Sequence, residues 1–204
     1  MKPTPQLLIA TTNPGKRVEI QEILTDLSLP LELKLPRELG MTLEVQETGH
    51  SYAENAALKA LAYAAQSGLP ALADDSGLEV EALDGAPGLY SARYAPQPGA
   101  TDADRRSYLL ANLAGKPRPW KARFVCALAL ALPDGRLLHS RGECPGEIIP
   151  QELGSNGFGY DPIFWMPEFE ATMAQLSSEE KNRVSHRARA LRAAFPLLEQ
   201  VFSI

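Results

Sequence analysis

The run Lys121–Leu132, KARFVCALALAL, constrains the fold more than any other segment of the chain. Phe124, Cys126, Leu128, Leu130 and Leu132 fall on one face, and Val125, Ala127, Ala129 and Ala131 on the other. Side chains alternate across a strand, so this strand is apolar on both sides and needs a cover on both. Its small face predicts a helix packed close against the alanines. Pro133-Asp134-Gly135 turns the chain back into an antiparallel partner over Arg136–Glu143.

Other elements fit around this strand. Leu7–Thr12 reads as a short buried strand that runs into a helix with apolar positions Ile20, Ile23, Leu24 and Leu27. Asn13 suits its N-cap and Pro14 its first turn. Leu31, Leu33 and Leu35 predict a second strand, closed by Pro36. A second helix runs from Ser51 through Ala53, Ala57, Leu61 and Ala64 to Gly68, opened by a Ser51–Glu54 capping box. Ala71–Asp75 reads as a short strand ending in charge, and Asp84–Gly88 as a turn. Thr101–Leu113 reads as a helix capped by Thr101, and Gly154–Asp161 as a loop. The last helix carries Val184, Ala188, Leu191, Phe195 and Leu198 on one stripe. The fold class is α/β with a mixed sheet.

A length of 204 residues suits one domain, alone or with two lobes, and 45% hydrophobic content supports a core. The net charge of −5, with no basic run interleaved with aromatics, argues against a nucleic-acid surface, although basic residues gather over Lys181–Arg192. The apolar run Leu7–Ala10 is too short for a secretion signal or a membrane span, so a cytoplasmic protein with no membrane partner is expected. Cys126 and Cys144 are too few for a zinc site and are expected as buried thiols.

Five constellations carry chemistry. Thr11-Thr12-Asn13-Pro14-Gly15-Lys16 ends a strand and opens a helix, which aims backbone N–H groups at one point, and Lys16 adds charge for an anion. The same residues also serve as a plain helix start, and they lack the Walker spacing. Asp74-Asp75 places two carboxylates side by side; either a divalent cation compensates them or they form a solvated turn. In the segment Glu47-Thr48-Gly49, then Glu54, Asn55 and Lys59, the last two share a helix face that can meet phosphates. Gly157-Phe158-Gly159-Tyr160-Asp161 offers two aromatics, either for a planar base or for packing, and Asp161 before Pro162 also suits a turn. Lys181 follows a Ser177–Glu180 capping box, where a cation opposes the helix dipole. Whether one helix continues past Val184 or Ser185 caps a new one, His186 and Arg187 are expected as exposed donors.

Taken in order, the segments ATTNPGK, ETGHSYAENAALKA, ALADDSGLEVEALDGAPGLYSARYA, GFGYDPIF and EEKNRVSHRARAL closely resemble the inosine triphosphate pyrophosphatase (XTP/dITP diphosphatase) family. The resemblance implies an elongated α/β fold, a mixed sheet flanked by helices, with two lobes and a central nucleotide cleft in a single domain, assembled as a homodimer. It implies Mg²⁺-dependent hydrolysis of ITP, dITP or XTP to the monophosphate and pyrophosphate. Asp75 is then the catalytic base and a metal ligand. Thr11, Thr12, Asn13, Pro14, Gly15, Lys16, Lys59, Ser76, Phe158, Gly159, Tyr160, Asp161, Lys181, His186 and Arg187 are implied to bind substrate. Arg187 or the backbone near His186 is expected to read the 6-keto edge of the base. Relatives often carry two acidic residues before the Thr-Gly, where this chain has Gln46-Glu47. Either Glu47 takes over as metal ligand, or the ion relies on Asp75, water and the triphosphate. The alternatives are a nucleotide-sensing protein without hydrolysis and a pyrophosphatase for other modified nucleotides.

Overall fold

Alternating strand and helix signals place a sheet at the centre of the chain, and the computed structural model, which describes residues 4–203, contains it. In chain order the elements are β1 (Gln6–Ile9), α1 (Pro14–Asp26), β2 (Glu32–Lys34), α2 (Tyr52–Ser67), β3 (Ala71–Val80) and α3 (Asp102–Leu113). They continue with β4 (Trp120–Ala131), β5 (Leu137–Ile148), β6 (Phe164–Met166), β7 (Ala171–Thr172), α4 (Ser178–Val184) and α5 (His186–Phe202). The seven strands lie in the order β2-β1-β3-β4-β5-β6-β7. β1 is parallel to β2 and β3, whereas β5–β6 and β6–β7 are antiparallel, so the sheet is mixed.

The chain forms two compact units. Unit 1 comprises the residues up to Asp75, Cys126–Gly142 and those from Arg187 on; unit 2 comprises Ser76–Val125 and Glu143–His186. Unit 1 has an apolar cluster on each face of its part of the sheet. Leu7 and Ile9 join Cys126, Leu128 and Leu130 against α1 and α5. Leu8 and Ala10 join Ala129 and Ala131 against Ala56, Ala60 and Ala64 of α2. The size alternation in β4 thus has its cause: the small face meets an alanine-rich helix, and the large face meets leucine and isoleucine. Unit 2 has its own core, built on Leu78, Leu109, Trp120, Phe124, Ile163, Phe164 and Met173.

Local signals fixed the helix ends. Asn13 Oδ1 accepts from Lys16 N at 3.0 Å, with Pro14 in the first turn of α1. Ser51 caps α2, and Gly68 ends it in the left-handed region at φ 69°. Glu54 differs from a strict capping box, because its carboxylate accepts from His50 N at 2.7 Å. Thr101 caps α3 as expected.

Three expectations need correction. β3 does not stop at Asp75 but runs on to Val80, because the charges within it are met by lysines and an arginine. The last helical segment takes the second of its two expected forms, with a break at Ser185 between α4 and α5, but Ala194, not Phe195, completes the buried stripe of α5 with Ala188, Leu191 and Leu198. His186 and Arg187, expected as exposed donors, are both buried.

Candidate functional site

The expected site residues form two clusters, one in each unit. In unit 1 the cluster is built on β3, α1, α2 and the start of α5. Asp74 and Asp75 are adjacent in a strand, so their side chains leave on opposite sides and meet different partners. Asp74 Oδ2 takes Lys16 Nζ at 3.0 Å and Arg187 Nη2 at 3.1 Å, in a fully buried position. Arg187 is 1% exposed and also pairs with Glu19. Burial alone would raise the Asp74 pKa, but Lys16, Arg187 and Lys59 outweigh it and hold the carboxyl well below the usual range. Arg187 is thereby committed to two carboxylates. The same pair pushes its own pKa up against burial.

Asp75 faces α2. Its Oδ2 accepts from Asn55 Nδ2 at 3.1 Å, and its Oδ1 lies 3.7 Å from Lys59 Nζ. Lys59 also meets Glu47 Oε1 at 2.8 Å, so one ammonium lies against two carboxylates. Burial raises the Asp75 pKa, and Glu47 adds to the rise, while Lys59, Lys16 and the Asn55 hydrogen bond oppose it; the net direction is upward. Lys59 is pushed down by burial and up by Asp74, Asp75 and Glu47, with a net rise. Asp75 is a buried carboxylate whose pKa burial raises, the direction that suits a general base.

The Thr11–Lys16 turn lies at the N-terminus of α1 beside this cluster. Thr12, Asn13 and Pro14 are exposed, Thr11, Gly15 and Lys16 are partly so, and no acidic residue occupies the first turn. Thr11 Oγ1 accepts from Asn13 N at 3.2 Å, which orders the turn. Cys126 lies in the same unit, and burial pushes its thiol up to about 12, so it is inert at neutral pH.

In unit 2, Asp161 Oδ2 accepts from Phe158 N at 2.9 Å and from Lys181 Nζ. Lys181 is 5% exposed, and its ammonium stands 4.8 Å from the centroid of the Phe158 ring. Gly157 has φ 74°, and a Cβ there would collide with Asp161 Oδ2 and come within 3.0 Å of Lys181 Nζ. Gly159 N donates to Asp102 Oδ2 at 2.8 Å, and its carbonyl accepts from Arg106 at 2.8 Å. Ser76 follows Asp75 in β3 and is partly buried.

Of the two uses open to these aromatics, a planar base or packing, Tyr160 takes packing. Tyr160 lies in the unit 2 core and its hydroxyl donates to Ser91 O at 2.9 Å, leaving Phe158 as the partly exposed ring. His186 stacks on Phe124 at 4.8 Å with the rings 15° apart, a packed histidine. Sequence reasoning passed over Glu19; it singled out Asp74 within the carboxylate pair and Asn55 for a phosphate, but not as partners of Arg187 and Asp75. Glu19 carried a signal: it lies four residues before Ile23 on the apolar stripe of α1, where an acid needs a buried cation.

The profile of the Ham1 family matches residues 7–197. A dITP/XTP pyrophosphatase from Desulfotalea psychrophila is 49% identical over 187 residues, 92% of this chain and 82% of that one. Its namesake from Synechocystis is 49% identical over 91% of each chain. Among solved structures, a HAM1 protein from Coxiella burnetii has a TM-score of 0.86 at 41% identity, covering 96% of this chain and 99% of that one. The Staphylococcus aureus Ham1 protein has a TM-score of 0.84 at 40% identity over the same shares. Family profile, curated relatives and fold all coincide over nearly the full length: the chain belongs to the Ham1 family.

Proposed function

We propose that this protein is a nucleoside triphosphate pyrophosphatase that hydrolyses deaminated purine nucleotides, ITP, dITP and XTP, to the monophosphate and pyrophosphate. The observation that carries the reading is Asp75: a buried carboxylate with a raised pKa, held by Asn55 and flanked by Lys59. Relatives named dITP/XTP pyrophosphatase supply the substrate class. Asp75 orients a water and accepts its proton as the water oxygen bonds to the α-phosphorus. The bond from the α-phosphorus to the bridging oxygen breaks, and pyrophosphate leaves. Lys16 and Lys59 meet the negative charge that grows on the leaving group, with the N-terminus of α1 behind them. In unit 2, Phe158, Gly159, Tyr160, Asp161, Lys181, Ser76 and His186 are substrate contacts in this reading, as the family resemblance implies.

The cofactor reading is Mg²⁺. Among the described residues no three His, Cys, Asp or Glu side chains gather into a ready-made cage. Asp75 and Glu47, both against Lys59, nevertheless offer hard oxygen donors, and Mg²⁺ characteristically takes one or two carboxylates and completes its shell with water and phosphate oxygens. Asp75 and Glu47 would hold the ion, which supplies charge neutralisation on the triphosphate. Glu47 thus serves where this chain has Gln46.

Arg187 fixes Asp74 next to Asp75, and Arg187 or the backbone near His186 reads the 6-keto edge of the base in this reading. A homodimer in the cytoplasm, with no nucleic acid or membrane as partner, completes the reading. No helix among the described residues is long and apolar enough to cross a membrane. The test is a panel of ITP, dITP, XTP, ATP, GTP and modified pyrimidine triphosphates with Mg²⁺, measuring pyrophosphate release. Selective turnover of the deaminated purines is expected; nucleotide binding without pyrophosphate release would refute the enzyme reading. Asp75→Asn is expected to lower turnover by ~10²–10⁴-fold while nucleotide affinity persists.

A further inference from the structure

We infer that Asn55 is a positioning residue, which sets the rotamer of Asp75 and the placement of the Glu47 loop against it. The inference rests on Asp75 being the general base, as proposed above.

Asn55 is 2% exposed and uses both ends of its amide. Oδ1 accepts from Gly49 N at 2.8 Å, and Nδ2 donates to Asp75 Oδ2 at 3.1 Å. A backbone N–H only donates and an ionised carboxylate only accepts, so a single orientation of the amide satisfies both. No isosteric side chain does the same. Aspartate lacks the donor, and leucine lacks both groups.

The approach of the loop to α2 is equally specific. A Cβ on Gly49 would lie 2.7 Å from Asn55 Oδ1, 2.7 Å from Glu54 Cβ and 3.0 Å from Asn55 N, so only glycine admits this contact. His50 N donates to Glu54 Oε2 at 2.7 Å, a second stitch between the same loop and helix. One turn further along α2, Lys59 reaches Glu47 and Asp75. A single helix therefore gauges the spacing between the two carboxylates, by an amide at one level and an ammonium at the next. The amide fixes geometry without adding charge, a role distinct from phosphate binding. Its bond occupies Oδ2 of Asp75, which directs Oδ1 toward the Lys59 side.

The test uses the full-length protein. Asn55→Leu and Asn55→Asp are assayed with ITP over a range of Mg²⁺, ITP affinity is measured by calorimetry in EDTA, and folding is followed by circular dichroism. Partners that orient a catalytic or ligating group typically contribute 10–100-fold, so kcat is expected to fall by about that factor. The Mg²⁺ needed for half-maximal rate is expected to rise, with KM and metal-free ITP affinity unchanged. Wild-type kcat in folded Asn55→Leu would overturn the inference, as would an equal loss of kcat and metal-free affinity. Gly49→Ala keeps the amide but displaces the loop; the same split is expected, and wild-type kcat there overturns the inference even if the Asn55 variants fail to fold. The double variant Asn55→Leu/Asp75→Asn is expected to be no slower than Asp75→Asn, since Asn55 acts through Asp75. Multiplied losses in the double variant would place Asn55 in another role. Failure of the underlying reading has a separate signature, near-normal kcat in Asp75→Asn alone.

Discussion

Replacing Arg187 with methionine removes a buried cation and leaves its anions in place. Arg187 pairs with Glu19 and meets Asp74 Oδ2 at 3.1 Å, where Lys16 also sits at 3.0 Å. At an effective dielectric near 20, unit charges this close attract by about 5 kcal/mol. The cost of drying the ions cancels much of that, yet removing one partner from a buried pair still costs about 3–5 kcal/mol. Lys16 remains on Asp74, so the lower end applies, about 3 kcal/mol, a large part of the ~5–15 kcal/mol that holds a typical domain. Urea unfolding at neutral pH reads this as a midpoint lowered by roughly 1–3 M, given slopes of ~1–3 kcal/mol per M. Because Asp74 is held below its unfolded pKa, its contribution is complete at neutral pH and is lost only as acid protonates it. Arg187→Lys keeps the charge without the fork and is expected to recover part of the loss. A methionine variant with the wild-type midpoint would refute the assignment of Arg187 to this cluster.

Two further outcomes follow from unit 2. Asp102 is held below its usual pKa: burial opposes, but the Arg105 hydrogen bond and the Gly159 N–H outweigh it. Its stabilisation is therefore present above its unfolded pKa and disappears as pH falls, so Asp102→Asn is expected to lower the melting temperature at pH 7 and to match wild type near pH 2. A constant difference across that range would contradict the pairing. Gly157→Ala places a Cβ against the Asp161–Lys181 pair at a positive φ, and is expected to raise KM for ITP more than it lowers kcat. Steady-state kinetics with an unchanged KM would show that this pair does not touch substrate.

Periodicity and end signals were enough to read the helices α1, α2 and α3, and the two-faced burial of β4 was legible from its alternating side-chain size. Each of those depends on neighbours in sequence. The continuation of β3 through Asp74 and Asp75 did not, because a strand tolerates adjacent buried carboxylates only when cations arrive from elsewhere in the chain. Arg187 stands 113 residues from Asp74 and 168 from Glu19, and no local pattern announces such a pairing. Asn55 shows the same limit in milder form. Its face on α2 was readable through the spacing to Lys59, but its partners are a backbone N–H and a carboxylate, not a phosphate. The exposure expected for His186 failed because Phe124, from β4, supplies a flat surface that the imidazole covers.

The methyl-lined seam where Ala56, Ala60 and Ala64 meet Ala129 and Ala131 acts as a shim under the reactive groups. Asn55 and Lys59 ride on the helix whose height above the sheet those methyls determine, and Asp75 projects from the sheet itself. Interiors packed at crystal-like density register even one added methylene. Bulkier residues along that seam would lift the helix and lengthen every bond it makes to Asp75, so drift at buried methyl positions translates directly into lost alignment of the carboxylate.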